Sequence, residues 1–425
     1  MKNFDLIIIG AGPGGLAACQ RMSGEGLRVA LVDVGKRVEH RERHAETDMT
    51  TGHGGAGLFS DGKFSFFPSA SELWMLPHQD ELHSAYAWTC DWLTSYGLDT
   101  PPFPVTPAAF TVGSGEWVLK DYPSDYISLD ARLNLTADMV DRVDATIIVE
   151  TEVLFTRYSP ALDSFRVGMR DAKGAEYEAT ARRLIFASGR FGPIHLGDLF
   201  TNRSFQRLEV GFRIEQPAER AFFRNMQQLD PKLRFRERTG DVEWRTFCAC
   251  RNGEAVLTRT LGMWTVSGRS DCPPTGYSNI GFNTRILDEG IATRALPPML
   301  DAMADKASYF TVGMNDLVGG KTEAVGVFDR VYGKELRTIM VRGLMRLAAE
   351  FPEIHDTDTR LIGPTLEGIG WYPKVDGSLR LLDSPAWVVG DACGLFRGIV
   401  AALISGYYAA SLALRDIRDQ EEVAA

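Results

Sequence analysis

With 425 residues, of which 44% are hydrophobic and 24% charged, the chain is long enough for two lobes and has the composition of an ordinary globular enzyme. A formal net charge of −10 argues against a surface of clustered Lys and Arg, so no nucleic-acid partner is expected. Six scattered cysteines make no disulfide scaffold, which suits a reducing, cytoplasmic setting.

The chain opens on Asp5–Ile9, a continuous apolar run of β-branched character that reads as a strand covered on both faces. The Met1–Phe4 lead leaves no room for a signal-peptide core. Gly10-Ala11-Gly12-Pro13-Gly14-Gly15 follows, then a helix-like stretch to Met22, then the strand pattern Leu27–Val32 ending on Asp33. In this order the pieces make a dinucleotide-binding unit. Gly10 permits the tight turn, Gly12 lets backbone approach a pyrophosphate, and Gly15 lets helix and sheet pack closely. Pro13 and Gly14 belong to the same cradle, and the new helix turns its free N–H groups toward phosphate. Asp33 stands where a carboxylate holds a ribose hydroxyl.

Gly52 to Lys63 is a dense glycine-rich loop. Its Gly55, Ala56 and Gly57 are small enough for backbone to approach a ligand. Lys63 at its end is a candidate for polarising a substrate, and His53 reads as an ordinary loop histidine. His40, His44, Glu46 and Asp48 match no recognised ligand spacing, so no metal is expected. Residues 71–123 are rich in aromatics and proline. Thr146–Val153 reads as one strand, and a hairpin turns at Lys173-Gly174. Arg183–Ala187 is a further strand that leads into Ser188 and Gly189.

Leu208–Ile214 alternates as a strand does. Cys248 and Cys250, two apart on a strand, point to one face. A redox or nucleophilic role for Cys250 competes there with simple packing as a buried thiol. Arg269 and Tyr277, in a turn-rich stretch, are candidates for substrate binding, since an arginine there can clamp a substrate carboxylate. Gly333–Phe351 reads as a helix. Ala386–Val389 is a short buried strand leading into Gly390-Asp391, and an apolar helix starts at Gly398, with Arg397 just before it. The apolar segment 398–414 falls short of the ~20 residues of a membrane span and reads as a buried helix, so no membrane partner is expected. Residues 420–425 read as a frayed tail.

The glycine turn leaves the choice of dinucleotide open; the far end of the chain decides it. Together with the N-terminal fingerprint, the Gly390-Asp391 string resembles the second FAD signature of the glutathione-reductase-type flavoprotein superfamily. The resemblance implies FAD. Asp391 then binds the ribitol, Gly398, Ile399 and Val400 start the helix aimed at the flavin N1/O2 edge, Val153 offers backbone to the adenine, and Ser188-Gly189 passes beside the cofactor. A helix N-terminus there suits the negative charge of reduced flavin.

More narrowly, Gly54–Lys63, Thr246–Gly253, Val388–Asp391 and Leu119–Pro123 resemble a family of bacterial FAD-dependent dehydrogenases, NAD(P)/FAD-dependent oxidoreductases. That family shows a Gly-Gly-Ala-Gly-x-Phe-Ser-Asp-Gly-Lys loop and a Thr-Phe-Cys-Met-Cys-Pro-Gly-Gly segment. Ala249 here replaces the Met, and Arg251-Asn252 replaces Pro-Gly.

The resemblance implies an α/β fold: a discontinuous Rossmann-like FAD-binding domain (1–70, 124–205 and 360–425) with an inserted α+β substrate domain (71–123 and 206–359). It implies an oxidoreductase that passes a hydride between a small organic substrate and flavin N5. An aromatic-hydroxylase-type monooxygenase and a non-catalytic flavoprotein or redox sensor are the alternatives. Without a second strand-GxGxxG-helix unit, no separate NAD(P) domain is expected, and NAD(P)H enters only as a transient electron donor. Oligomeric state is open.

Overall fold

A computed structural model describes residues 2–197 and 200–424. The N-terminal run forms β1 (Lys2–Ile9), α1 (Pro13–Met22) and β2 (Val29–Val32). Then come β3 (Lys63–Ser65), α2 (Gln79–Ser95), β4 (Val118–Lys120), β5 (Ser124–Tyr126) and α3 (Leu129–Asp141). The expected single strand 146–153 is instead two: β6 (Thr146–Ile148) and β7 (Thr151–Ser159). Glu150, at φ 50°, turns the chain between them. β6 thereby pairs parallel with β2, while β7 runs antiparallel to β8 (Ser164–Asp171). The β8 hairpin to β9 (Glu176–Phe186) turns at Gly174, φ 84°, where glycine avoids the Cβ penalty.

These strands and β18 (Ala386–Val388) make one seven-stranded sheet. Its order is β6-β2-β1-β9-β8-β7. β18 lies beside the C-terminal end of β9, whose N-terminal half pairs with β8. β6, β2, β1, β9 and β18 are parallel. α1 and α8 (Ile399–Ala424) cover one face. This is the Rossmann-like α/β arrangement. Its central strands β1 and β2 are largely apolar because both faces are buried: Leu6 to Ile9 and Val29 to Val32 are all buried.

After α4 (Gly192–His195), a second sheet is built from β10 (Arg203–Pro217), β11 (Lys232–Arg236) and β12 (Val242–Cys250). The separate hairpin β13 (Glu254–Thr260) and β14 (Met263–Arg269) precedes β15 (Tyr277–Ile286). Next come α5 (Glu289–Met303), β16 (Phe310–Gly313), α6 (Met314–Val318), α7 (Thr322–Glu350) and β17 (Arg360–Pro373). The sheet is antiparallel, ordered β16-β17-β10-β15-β12-β11-β4. The alternation of β10 shows why it has two unlike faces. Leu208, Val210, Phe212 and Ile214 enter a core with residues of α5 and α7. Glu209, Gly211 and Arg213 face the other way, and all are buried.

Three boundaries differ from expectation. Residues 360–373 belong to the second sheet, because β17 pairs with β10 along most of its length. Helix α2 belongs to the first core, with Leu82, Ala85 and Leu93 buried there and Trp88 stacked on Tyr407 of α8 at 4.9 Å. Residues 420–424 are helical and continue α8; Ala425 lies outside the described residues. Gly333, the expected helix start, is where α7 restarts after a non-helical break at φ 75°. No helix among the described residues is long and apolar enough to cross a membrane.

Candidate functional site

The two sheets enclose a cavity of about 480 Å³, within the roughly 300–1,000 Å³ typical of small-molecule sites. The first sheet supplies its floor. Gly10, Gly12, Pro13, Gly14, Asp33, Val153, Ser188, Gly189, Gly390 and Asp391 all line it, as do Gly55, Ala56 and Gly57 of the glycine-rich loop. Gly398 and Ile399 line it too, so α1 and α8 both open onto the same space. The α1 N-terminus has no side-chain cap, and such free backbone N–H groups attract anions.

Small residues are required here. A Cβ on Gly10, at φ 106°, would stand 2.3 Å from the Ala187 carbonyl oxygen, and one on Gly57 would stand 2.8 Å from Ile399. Gly15 has the expected packing role without reaching the cavity: its Cβ would meet the Gly10 oxygen at 1.8 Å. Val400 is buried behind the helix start and does not line the cavity. Asp33 does two things. Its carboxylate accepts from the Ala11 N–H at 2.6 Å and the Gly35 N–H at 2.7 Å, fixing the turn, while the residue also borders the cavity.

The opposite wall comes from the charged face of the second sheet. Glu209 is wholly buried and meets Arg207 at 2.8 Å, Arg285 at 2.7 Å, Arg245 at 2.5 Å and Arg397 at 3.6 Å. Burial opposes its ionisation, but Arg245, Arg285, Arg397 and Arg207 overcome this and hold its carboxyl well below the usual range. Arg397 also pairs with Glu367 at 2.9 Å. Burial works against its charge, and Glu209 and Glu367 more than restore it. One of its terminal nitrogens, Nη2, is buried without a partner, as is the Ser188 hydroxyl. Both residues border the cavity, and neither polar atom has a hydrogen-bond partner among the described residues.

Lys63 lies at the mouth of β3 with only 4% of its side chain exposed. Its ammonium pairs with Asp61 at 2.9 Å and Asp230 at 3.8 Å, and donates to the Ala249 carbonyl at 2.5 Å. Burial lowers its pKa, but Asp61 and Asp230 raise it well above the ordinary lysine value, so it stays a cation. Lys232, also on the wall, behaves oppositely. Burial lowers its pKa; Asp230 resists, but Arg245 and Arg234 add to the fall, to about 8. Among the described residues it forms no ion pair within 4.0 Å.

Three expected site residues are elsewhere. The Arg269 guanidinium is taken by Glu254 at the β13–β14 hairpin, so no substrate clamp is free there. Tyr277 begins β15 beneath the Arg360 guanidinium, 4.7 Å from the ring centre, outside the cavity. Cys250 is fully buried; its neighbour Cys248 reaches the wall. His53 is buried and does not line the cavity, and burial lowers its pKa. Asp48 pairs with Lys36 and Glu46 with Lys306. Glu209, Arg213, Asp230, Lys232, Arg245 and Glu367 were not singled out by sequence reading. The available signal was a strand, β10, whose alternate positions include Glu209 and Arg213 while its other face is uniformly apolar.

No protein family and no curated protein matches the chain. Solved structures with some likeness include a flavoprotein/dehydrogenase from Cytophaga hutchinsonii, 14% identical, covering 98% of this chain and 79% of that one, TM-score 0.41. A geranylgeranyl bacteriochlorophyll reductase-like protein from Thermoplasma acidophilum is 13% identical, with 99% and 80% covered and a TM-score of 0.43. A myxobacterial chondrochloren halogenase is 15% identical, with 98% and 73% covered and a TM-score of 0.39.

Proposed function

We propose that the protein is an FAD-dependent oxidoreductase, a dehydrogenase or reductase acting on a small organic substrate. The observation that carries this is the convergence of the α1 and α8 N-termini and the glycine loop on one cavity, with Ser188 and Arg397 presenting unpartnered polar atoms to it. A dinucleotide flavin fits that set: phosphates at Gly12–Gly14, ribose at Asp33, ribitol at Asp391, and the ring's anionic edge at the start of α8. When bound, the flavin supplies hydride exchange at N5. Transient reduction by NAD(P)H and a cytoplasmic setting belong to the same proposal.

The chain's own residues do the rest. Arg397, held charged by Glu209 and Glu367, offers fixed positive charge beside the α8 start. Lys63 stays protonated and therefore orients and attracts rather than exchanging a proton. Lys232, with its pKa brought down to about 8, is the wall group suited to trade a proton near neutral pH. Its unpaired ammonium and the neighbouring Arg245 favour a substrate bearing a carboxylate or other anion.

The test is direct. The purified protein is expected to be yellow, or to bind added FAD tightly, and anaerobic stopped-flow with NADH, NADPH and a panel of organic acids should bleach the flavin. A colourless protein that takes up no FAD overturns the proposal.

A further inference from the structure

Cys248 and Cys250 stand in unusual company for buried thiols. β12 carries a β-bulge here: Phe247 faces Gly281 and Cys250 faces Asn279, so one extra residue is accommodated. Cys248 takes a left-handed conformation, φ 50°. This brings both sulfurs and an Asp61 oxygen within 4.8 Å of one another. The Cys248 thiol donates to Asp61 Oδ2 at 3.2 Å. Arg213 donates to the Cys248 carbonyl at 2.5 Å and stands 3.5 Å from the Cys250 sulfur. Gly268 makes that approach feasible, since a Cβ there would fall 2.3 Å from the guanidinium and 2.7 Å from the sulfur. Lys63, paired with Asp61, completes the cluster.

Three ligand-type atoms this close also suit a metal ion. Here, however, two cations already occupy their surroundings, which is the charge arrangement of a thiolate rather than of a site for a dication. The contact between the two sulfurs lowers the Cys250 pKa against burial, and Arg213 and Lys63 add to the fall; the same contact, with burial and Asp61, raises that of Cys248 well above the usual thiol value, so Asp61 has to take its proton as it attacks. Cys19 and Cys393 show the contrast: burial pushes both up to about 12. Of the pair, Cys248 borders the cavity and Cys250 lies behind it.

We propose that Cys248 and Cys250 form a redox-active dithiol, which a hydroperoxide entering the cavity oxidises to a disulfide and a low-molecular-weight thiol reduces again. In the first step the Cys248 sulfur attacks the distal peroxide oxygen while Asp61 takes the thiol proton. The S–O bond forms, the O–O bond breaks, and the departing alkoxide or hydroxide carries off that proton. In the second step the Cys250 thiolate, its proton given to water, attacks the Cys248 sulfur. The S–S bond forms, the S–O bond breaks, and hydroxide leaves as water. Two thiols and one hydroperoxide become a disulfide, an alcohol and water, with two electrons passing from sulfur to peroxide. A bridge between residues two apart is strained, which favours its reduction by two equivalents of thiol.

The proposal is independent of what else the cavity holds, and its test reads sulfur rather than turnover. The full-length protein is treated with one equivalent of hydrogen peroxide, alkylated after denaturation and mapped by mass spectrometry. The peptide containing Cys248 and Cys250 should lose two hydrogens and take no alkyl group, with Cys90 and Cys272 still alkylated. In Cys250→Ser, oxidation should stop at a dimedone-trappable sulfenic acid on Cys248; in Cys248→Ser, all remaining thiols should survive the same dose. Alkylation of Cys248 and Cys250 as complete as that of Cys90 and Cys272 after peroxide overturns the proposal. So does a stoichiometric divalent metal that co-purifies on the pair and must be removed before oxidation occurs.

Discussion

Replacing Glu209 by Gln removes the single carboxylate at the centre of four arginines. The consequences differ among the four. Arg285 keeps Glu243 at 3.1 Å, Arg397 keeps Glu367 at 2.9 Å, and Arg207 keeps the Gly394 carbonyl at 2.8 Å. Arg245 forms no other ion pair among the described residues, and its Nε is already unpartnered. The loss is therefore close to that of orphaning one buried cation, about 3–5 kcal/mol. Spread over an unfolding entropy of roughly 2 cal/mol/K per residue, this lowers the melting temperature by about 3–6 °C if both cores melt together. Calorimetry and urea titration at neutral pH measure it.

The pH dependence gives a second reading of the same charge. The folded pKa of Glu209 is depressed, so its contribution is fully present above its unfolded value near 4.5 and is lost as pH falls toward the folded value. The gap between wild type and Glu209→Gln should accordingly narrow in acid. A variant within about 1 kcal/mol of wild type at pH 7, with a gap that does not narrow in acid, refutes the assignment of Glu209 as the counter-charge of this wall.

Further substitutions probe the rest of the site. Gly10→Ala combines a forbidden φ with a clash against the Ala187 oxygen; it should cost more than about 2 kcal/mol and abolish FAD retention, measured by flavin released per protein. Asp33→Ala removes acceptors from two backbone N–H groups as well as the ribose contact; it should weaken FAD binding at least about tenfold, equivalent to 1.4 kcal/mol, by fluorescence titration. If Lys232 exchanges the proton, kcat/KM should show a limb near pH 8 that Lys232→Met eliminates, and persistence of that limb assigns it elsewhere.

The parts legible in the sequence were those set by neighbours along the chain. The β1-α1-β2 unit follows from an apolar run, a glycine turn and a carboxylate within a short span; Gly10, Gly12, Pro13, Gly14 and Asp33 reach the cavity, and Gly15 packs against the turn behind it. The turn at Gly174 follows from glycine alone; Gly333, read as the start of a helix, is instead a break inside α7, which begins at Thr322. What failed depended on distant partners. Arg269 and Tyr277 sit in a stretch that reads as an exposed loop, and only the fold brings Glu254 and Arg360 to them. Glu209 and Arg213 stand at the alternate positions of β10, but Glu209 is buried against Arg245 and Arg285 of neighbouring strands, and Arg213 against Asn279 and the Cys248 carbonyl, pairings that alternation cannot reveal. The split at Glu150 was hidden for a similar reason: β6 and β7 are separate because they pair with different strands, not because the local residues forbid one continuous strand.

The position of β18 and α8 has a consequence for how the protein is made. Residues 386–388 pair with β9, and α8 packs along α1, more than 370 residues away in the chain. During synthesis the second antiparallel sheet can assemble once β17 has emerged from the ribosome. The N-terminal unit must wait longer, with one flank of β9 and the apolar surface of α1 uncovered until the final helix is available. A ribosome stalled before residue 386 should hold the chain with that apolar surface still exposed.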